Sequence, residues 1–132
     1  MVSRIHTITF DSRDGYTLSK FWEQVTGYTE APDDPNEPGH KENFIGPAGG
    51  GPGLLFIDVP EEKTVKNRLH LDMTPEGPRD EEVERLLGIG ATLVADHRTE
   101  DGRGWAVLAD PEGNEFCILR SEAERALTDP VA

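Results

Sequence analysis

Residues 4–10, Arg-Ile-His-Thr-Ile-Thr-Phe, alternate in polarity and are rich in β-branched side chains. The spacing predicts a strand with His6, Ile8 and Phe10 on one face and Ile5, Thr7 and Thr9 on the other. Leu18, Phe21, Trp22 and Val25 then fall at i, i+3, i+4 and i+7, the apolar stripe of a helix packed on a sheet. Ser12 or Asp14 is available to cap that helix, and Gly27 to end it. Tyr28 to Glu30 can start a second strand, whereas residues 31–42, with three prolines, read as an exposed loop. A short strand is expected over 43–46, a glycine-rich turn over 46–53, and an apolar strand over Leu54 to Val59.

After a polar connection over 60–67 the pattern begins again. Arg68 to Met73 alternates as a strand that puts His70 and Asp72 on one face. Pro78 stands near the first turn of a helix that is acidic at its start, carries Val83, Leu86 and Leu87 as its stripe, and stops at Gly88 and Gly90. Strands are expected over 91–97, 105–109 and 114–119, the last two joined by the tight turn Asp110-Pro111-Glu112-Gly113. Residues 121–127 read as a surface helix. The two histidines are 64 residues apart and the post-helix glycines Gly27 and Gly90 are 63 apart. This repeat predicts one α+β domain spanning residues 1–132, built from two βαβββ modules at about 3–60 and 67–120 with a tail over 121–132. A ligand pocket is expected between the two copies.

Composition narrows the function classes. The 132 residues, 35% of them hydrophobic, suffice for one real core. Cys117 is the only cysteine, so no internal disulfide forms. No apolar run approaches the roughly 20 residues of a membrane helix, and no secretory stretch opens the chain, so the cytoplasm is the expected location. A net charge of −13 repels polyphosphates and disfavours nucleic-acid binding. Solubility explains that charge; a preference for cationic ligands would need acids inside the pocket, and most lie in the proline-rich loop or at the second helix start.

Two strand-helix-strand-strand-strand units, each opened by a histidine strand, resemble the vicinal oxygen chelate superfamily, which includes glyoxalase I, extradiol dioxygenases and the fosfomycin- and bleomycin-resistance proteins. The second half carries the likeness furthest. Asn67 to Asp72, then Leu87-Gly88-Ile89-Gly90-Ala91, then Leu108 to Leu119 is similar to the glyoxalase-like domain subfamily. The resemblance implies a cupped mixed sheet and, in the family's metalloenzymes, a divalent ion held by opening and closing strands. Carried over, the opening-strand ligands fall on His6 and His70 and the closing-strand ones near Ile57 and on Cys117. An isoleucine and a thiol replace the expected oxygen donors there.

His6 and His70 can ligate a metal, donate hydrogen bonds to a ligand, or bond nearby backbone. No cofactor is favoured. If a divalent metal binds, the expected set is His6, His70 and Cys117, which meets zinc's usual minimum of three, with Glu115 at the rim. Cys117, between Phe116 and Ile118, reads as a small core hydrophobe rather than a reactive thiol. Asp72 either orients His70, binds a cation or faces solvent. Trp105 and Tyr28 are candidate flat walls for a planar ligand. Gly49-Gly50-Gly51 reads as a hairpin turn, since it lacks a following Lys-Ser/Thr pair and helix. His40 and His97 receive no role.

Three functions follow. The first is a small-molecule binding protein of the bleomycin-resistance type, with His6, His70, Asp72, Cys117 and Trp105 around the ligand. The alternative is a metal-dependent lyase, isomerase or dioxygenase. The third is an accessory module that pairs with a protein through a sheet edge. The sequence leaves open whether the cup closes within one chain or across a homodimer.

Overall fold

A computed structural model describes residues 1–129. The chain divides into two units, Met1–Thr64 and Val65–Ala132. Each carries its own mixed sheet, and among the described residues no helix is long and apolar enough to cross a membrane.

The first unit contains β1 (Thr7–Ser12), α1 (Gly15–Thr26), β2 (Glu42–Ile45) and β3 (Gly53–Asp58). Its sheet order is β1-β3-β2, with β1 parallel and β2 antiparallel to β3. Leu18, Phe21 and Trp22 of α1 are buried as their helical spacing requires. Phe10 packs between Trp22, at 5.4 Å between ring centroids, and Phe56, at 5.0 Å. Asp14 rather than Ser12 caps α1, accepting from the Thr17 N–H at 3.2 Å. Ser12 is instead the last residue of β1, buried, with its hydroxyl donating to the Ile57 carbonyl. Gly27 adopts the left-handed conformation (φ 74°) that ends the helix.

Several boundaries differ from the sequence reading: the second opening strand, expected over 68–73, covers only Leu71–Met73, and two strands of the first unit differ as well. The opening strand runs over 7–12, not 4–10, because its ladder is set by the six residues of β3, from Thr7 opposite Gly53 to Ser12 opposite Asp58. The strand expected from Tyr28 contracts to a single bridge between Thr29 and Gly46, as the proline-rich segment turns the chain away at once.

The second unit contains β4 (Leu71–Met73), α2 (Arg79–Gly88), β5 (Thr92–Asp96), β6 (Ala106–Ala109), β7 (Glu115–Ile118) and α3 (Glu122–Thr128). Its sheet order is β4-β7-β6-β5, parallel between β4 and β7 and antiparallel elsewhere. Ala106, Leu108, Phe116 and Ile118 form one buried face, with Val83 and Leu86 of α2 also fully buried. Burying each of the larger side chains is worth roughly 1.5–3 kcal/mol.

The β6–β7 turn is held by Asp110, itself only 3% exposed. Its carboxylate accepts from the N–H groups of Glu112 and Asn114, at 2.9 and 3.0 Å. This fixes the register that pairs Val107 with Cys117. A capping box between Ser121 and Glu124 starts α3.

Candidate functional site

Strand alternation gives the second sheet a second face. Asp72 of β4 lies opposite Cys117 of β7, and Cys117 lies opposite Val107 of β6, so the three form one row across three strands. Residues two apart along the chain share that face, which adds Trp105, Glu115 and Leu119. A cavity of about 380 Å³ opens on it, lined by His70, Asp72, Trp105, Val107, Cys117 and Leu119, with Lys66 and Glu115 at its edge.

Trp105 immediately precedes β6 and is 43% exposed, its ring tilted by 39° to the His97 ring at 5.0 Å between centroids. Its position follows from the hairpin before it. The His97 N–H donates to the Trp105 carbonyl and the Thr99 N–H to the Arg103 carbonyl, both at 2.9 Å. Gly104 (φ 85°) completes the turn where an added Cβ would stand 1.9 Å from the His97 carbonyl oxygen, so no other residue fits. From the α2 side, buried Arg79 donates to the carbonyls of Arg103 and Gly104 at 2.8 and 3.1 Å. Neither His97 nor Arg79 stood out in the sequence; a lone arginine at a helix start carries no signal of burial.

The polar side of the cavity is a short chain of donors and acceptors. His70 lies one residue ahead of β4, its Nε2 3.4 Å from Asp72 Oδ1. Burial, together with the neighbouring Asp72 carboxylate that accepts a hydrogen bond from the thiol, pushes Cys117 up to about 11. Glu115 adds to that effect, and Lys66, which is ion-paired with Glu115, opposes it. The thiol is therefore protonated at neutral pH. This agrees with a residue that packs rather than attacks, although Cys117 also reaches the cavity wall.

The structure thus brings together four of the five candidate ligand residues: His70, Asp72, Cys117 and Trp105. His6 belongs to the first unit, one residue ahead of β1 and exposed. Its equivalence with His70 fails on strand parity. Phe10 packs on Trp22 of α1, so positions 8 and 10 share the helix-covered face of β1. Thr7, Thr9 and Asp11 share the other, with Thr9 opposite Leu55 and Asp11 opposite Ile57. Matching faces rather than letters sets Thr7 and Thr9 against His70 and Asp72. The repeat is then 63 residues, the spacing of Gly27 and Gly90, and a one-residue slip changes the face. Tyr28 belongs to the first unit, half-buried, two residues after α1.

The divalent ion implied by the resemblance meets a changed donor set. Ile57 has no ligating atom and pairs with Asp11, four positions along the ladder from Thr7. The oxygen-rich four-ligand pattern is therefore not matched. What the second unit does group is His70, Asp72 and Cys117, whose ligand atoms all lie within 4.8 Å of one another.

Comparison with known proteins agrees with this architecture. The family model described as "Glyoxalase-like domain" matches residues 7–119. No curated protein matches the chain significantly. Among solved structures, the chain is similar to a glyoxalase/bleomycin resistance protein/dioxygenase family enzyme from Burkholderia phytofirmans PsJN, at 24% identity and TM-score 0.66, covering 88% of this chain and 97% of that one. A member of the same superfamily from Sphaerobacter thermophilus gives 17% identity and TM-score 0.63, covering 90% and 98%. TnmS3, an antibiotic binding protein from Streptomyces sp. CB03234, gives 19% identity and TM-score 0.61, covering 92% and 98%. With its paired parallel opening and closing strands and a domain match over nearly its whole length, this chain belongs to the glyoxalase-like domain family of the vicinal oxygen chelate superfamily.

Proposed function

We propose that the chain binds a small organic molecule in the cavity of its second unit, stacked on Trp105 and oriented by His70, Asp72 and Cys117. The observation that carries this reading is the cavity itself. Its volume of about 380 Å³ falls within the roughly 300–1,000 Å³ usual for small-molecule sites, and it combines an apolar wall with a few converging polar groups. Trp105, Val107 and Leu119 supply the wall; the imidazole, carboxylate and protonated thiol supply directional contacts. The antibiotic-binding neighbour TnmS3 supports the same use of this fold. A single reduced cysteine suits the cytoplasm as the place of action.

The test uses the whole chain and a panel of planar aromatic and heteroaromatic compounds. A binder raises the melting temperature, because selective binding to the folded state stabilises it. It also quenches the emission of Trp105, which is distinguishable from that of Trp22, 1% exposed in the core. Trp105→Ala abolishes both signals while leaving unliganded stability nearly unchanged. His6→Ala asks whether the first-unit histidine contributes. Failure of every compound to stabilise the chain, or stabilisation that survives Trp105→Ala, refutes the assignment.

A further inference from the structure

We infer that α3 is a polar clasp on the hairpin that carries Trp105, with Asp129 as the positioning residue that acts on it through Arg103. This rests on the small-molecule reading only in that Trp105 walls the proposed ligand cavity; the clasp itself is testable without a ligand.

α3 has no apolar anchor. None of its residues is buried, and Leu127 is 84% exposed. Its seven residues also fall well short of the roughly 12–15 at which an isolated helix is even marginally stable in water. Polar contacts at its two ends hold it instead.

At the first end, the Glu124 carboxylate accepts from the Arg79 backbone N–H at 2.8 Å. Arg79 is the same residue whose guanidinium donates to the Arg103 and Gly104 carbonyls. At the other end, Arg103 Nε donates to Asp129 Oδ1 at 3.3 Å, and its Nη2 donates to the Thr128 carbonyl. Asp101, within the hairpin, aims that guanidinium by accepting from Nη1 at 3.0 Å. Arg120 grips the second Asp129 oxygen at 3.0 Å. The Thr128 methyl stands 3.4 Å from where a Cβ on Gly102 would lie, so the helix end rests on the turn itself.

Helix and hairpin are thus closed into a ring of contacts, joined at one end through Arg79 and at the other through the Arg103 side chain. Release of α3 frees Arg103, two residues ahead of Trp105, and loosens the hairpin. The Asp129 contacts are exposed ion pairs, individually weak and screened by salt. The position of Trp105 is therefore coupled to whether the C-terminal helix is docked.

Native-state hydrogen exchange on the full chain tests the clasp. Asp129→Asn removes two exposed ion pairs and should speed exchange about three- to fivefold, both at the Arg125 amide of α3 and at the His97 and Thr99 amides of the hairpin. The Thr29 and Gly46 amides, bonded to each other in the first unit, keep their rates. Asp129→Glu restores the slow exchange. Raising NaCl from about 0.01 to 1 M, which shortens the Debye length from about 30 to 3 Å, reproduces the effect in the unsubstituted chain and adds little in Asp129→Asn. Any planar compound of the panel that raises the melting temperature should slow exchange at Arg125 as well as in the hairpin, because linkage is reciprocal. Unaltered His97 and Thr99 rates in Asp129→Asn, equal acceleration at Thr29 and Gly46, or a bound compound that protects the hairpin and not Arg125 overturns the clasp. Failure of every compound to bind refutes the small-molecule reading alone and leaves the variant and salt results to decide the clasp.

Discussion

Replacing Arg79 by methionine tests the claim that a buried guanidinium holds the Trp105 hairpin in place. Methionine keeps the length and apolar character of the arginine stem, so the substitution removes hydrogen bonds more than volume. The side chain is 4% exposed and donates to the carbonyls of Arg103 at 2.8 Å and Gly104 at 3.1 Å, with a longer contact to Gly102 at 3.5 Å. Its fourth partner, Asp80, is largely exposed and contributes little. Hydrogen bonds from a charged donor contribute about 1.5–3 kcal/mol each. The two short ones therefore set an upper range, and rehydration of the loop carbonyls in the variant reduces it, leaving an expected loss of about 2–3 kcal/mol. Urea unfolding followed by far-UV circular dichroism measures the loss, and native-state hydrogen exchange at the His97 and Thr99 amides locates it. Arg85→Met is the control: Arg85 is 45% exposed and pairs with Glu82 only three residues away on the same helix, a local pair for which a change of about 0.5 kcal/mol is expected. A loss at Arg79 no larger than at Arg85, or unaltered exchange in the hairpin, would refute the reasoning.

Four further outcomes are expected. Because Cys117 is raised from an ordinary 9.0 to about 11, its thiolate fraction at pH 8 is about a hundredfold below that of a free thiol. Alkylation by iodoacetamide should be slowed at least that much in the folded chain, and a rate like that of a model thiol would contradict the assigned environment. The same shift makes its contribution to stability fully present below about pH 9 and lost as pH rises through about 11. Asp110→Ala removes the acceptor for two turn amides and leaves them to a solvent-poor corner, costing about 1–3 kcal/mol in urea unfolding; a cost under 0.5 kcal/mol would show that the turn holds itself. Burial raises Glu124, but hydrogen bonds from the Ser121 and Arg79 amides more than offset this and leave it below its ordinary 4.5. Its contribution is therefore present above that value and lost as pH falls below it. Glu124→Gln should flatten the acid limb of the stability profile.

The chain itself determined the features whose causes are local. The stripe of Leu18, Phe21 and Trp22, the cap at Asp14, the stop at Gly27 and the turn at Asp110 to Gly113 each depend on residues within a few positions of one another. The duplicated strand-helix pattern was legible for the same reason, and so was the pairing of His70 with Asp72 on one strand face. Tertiary structure decided what depends on partners far along the chain. The parallel ladders join residues 45 or 46 positions apart, and no periodicity within β1 specifies which residue of β3 it meets. That register moved the opening strand three residues, placed His6 outside it and made Thr7 rather than His6 the repeat counterpart of His70. It also put the Asp72 carboxylate beside the Cys117 thiol, where burial and a neighbouring negative charge act on the same sulfur. The placing of Trp105 needed still more: a glycine with no room for a Cβ, and an arginine 25 residues upstream of that glycine, buried beneath the loop.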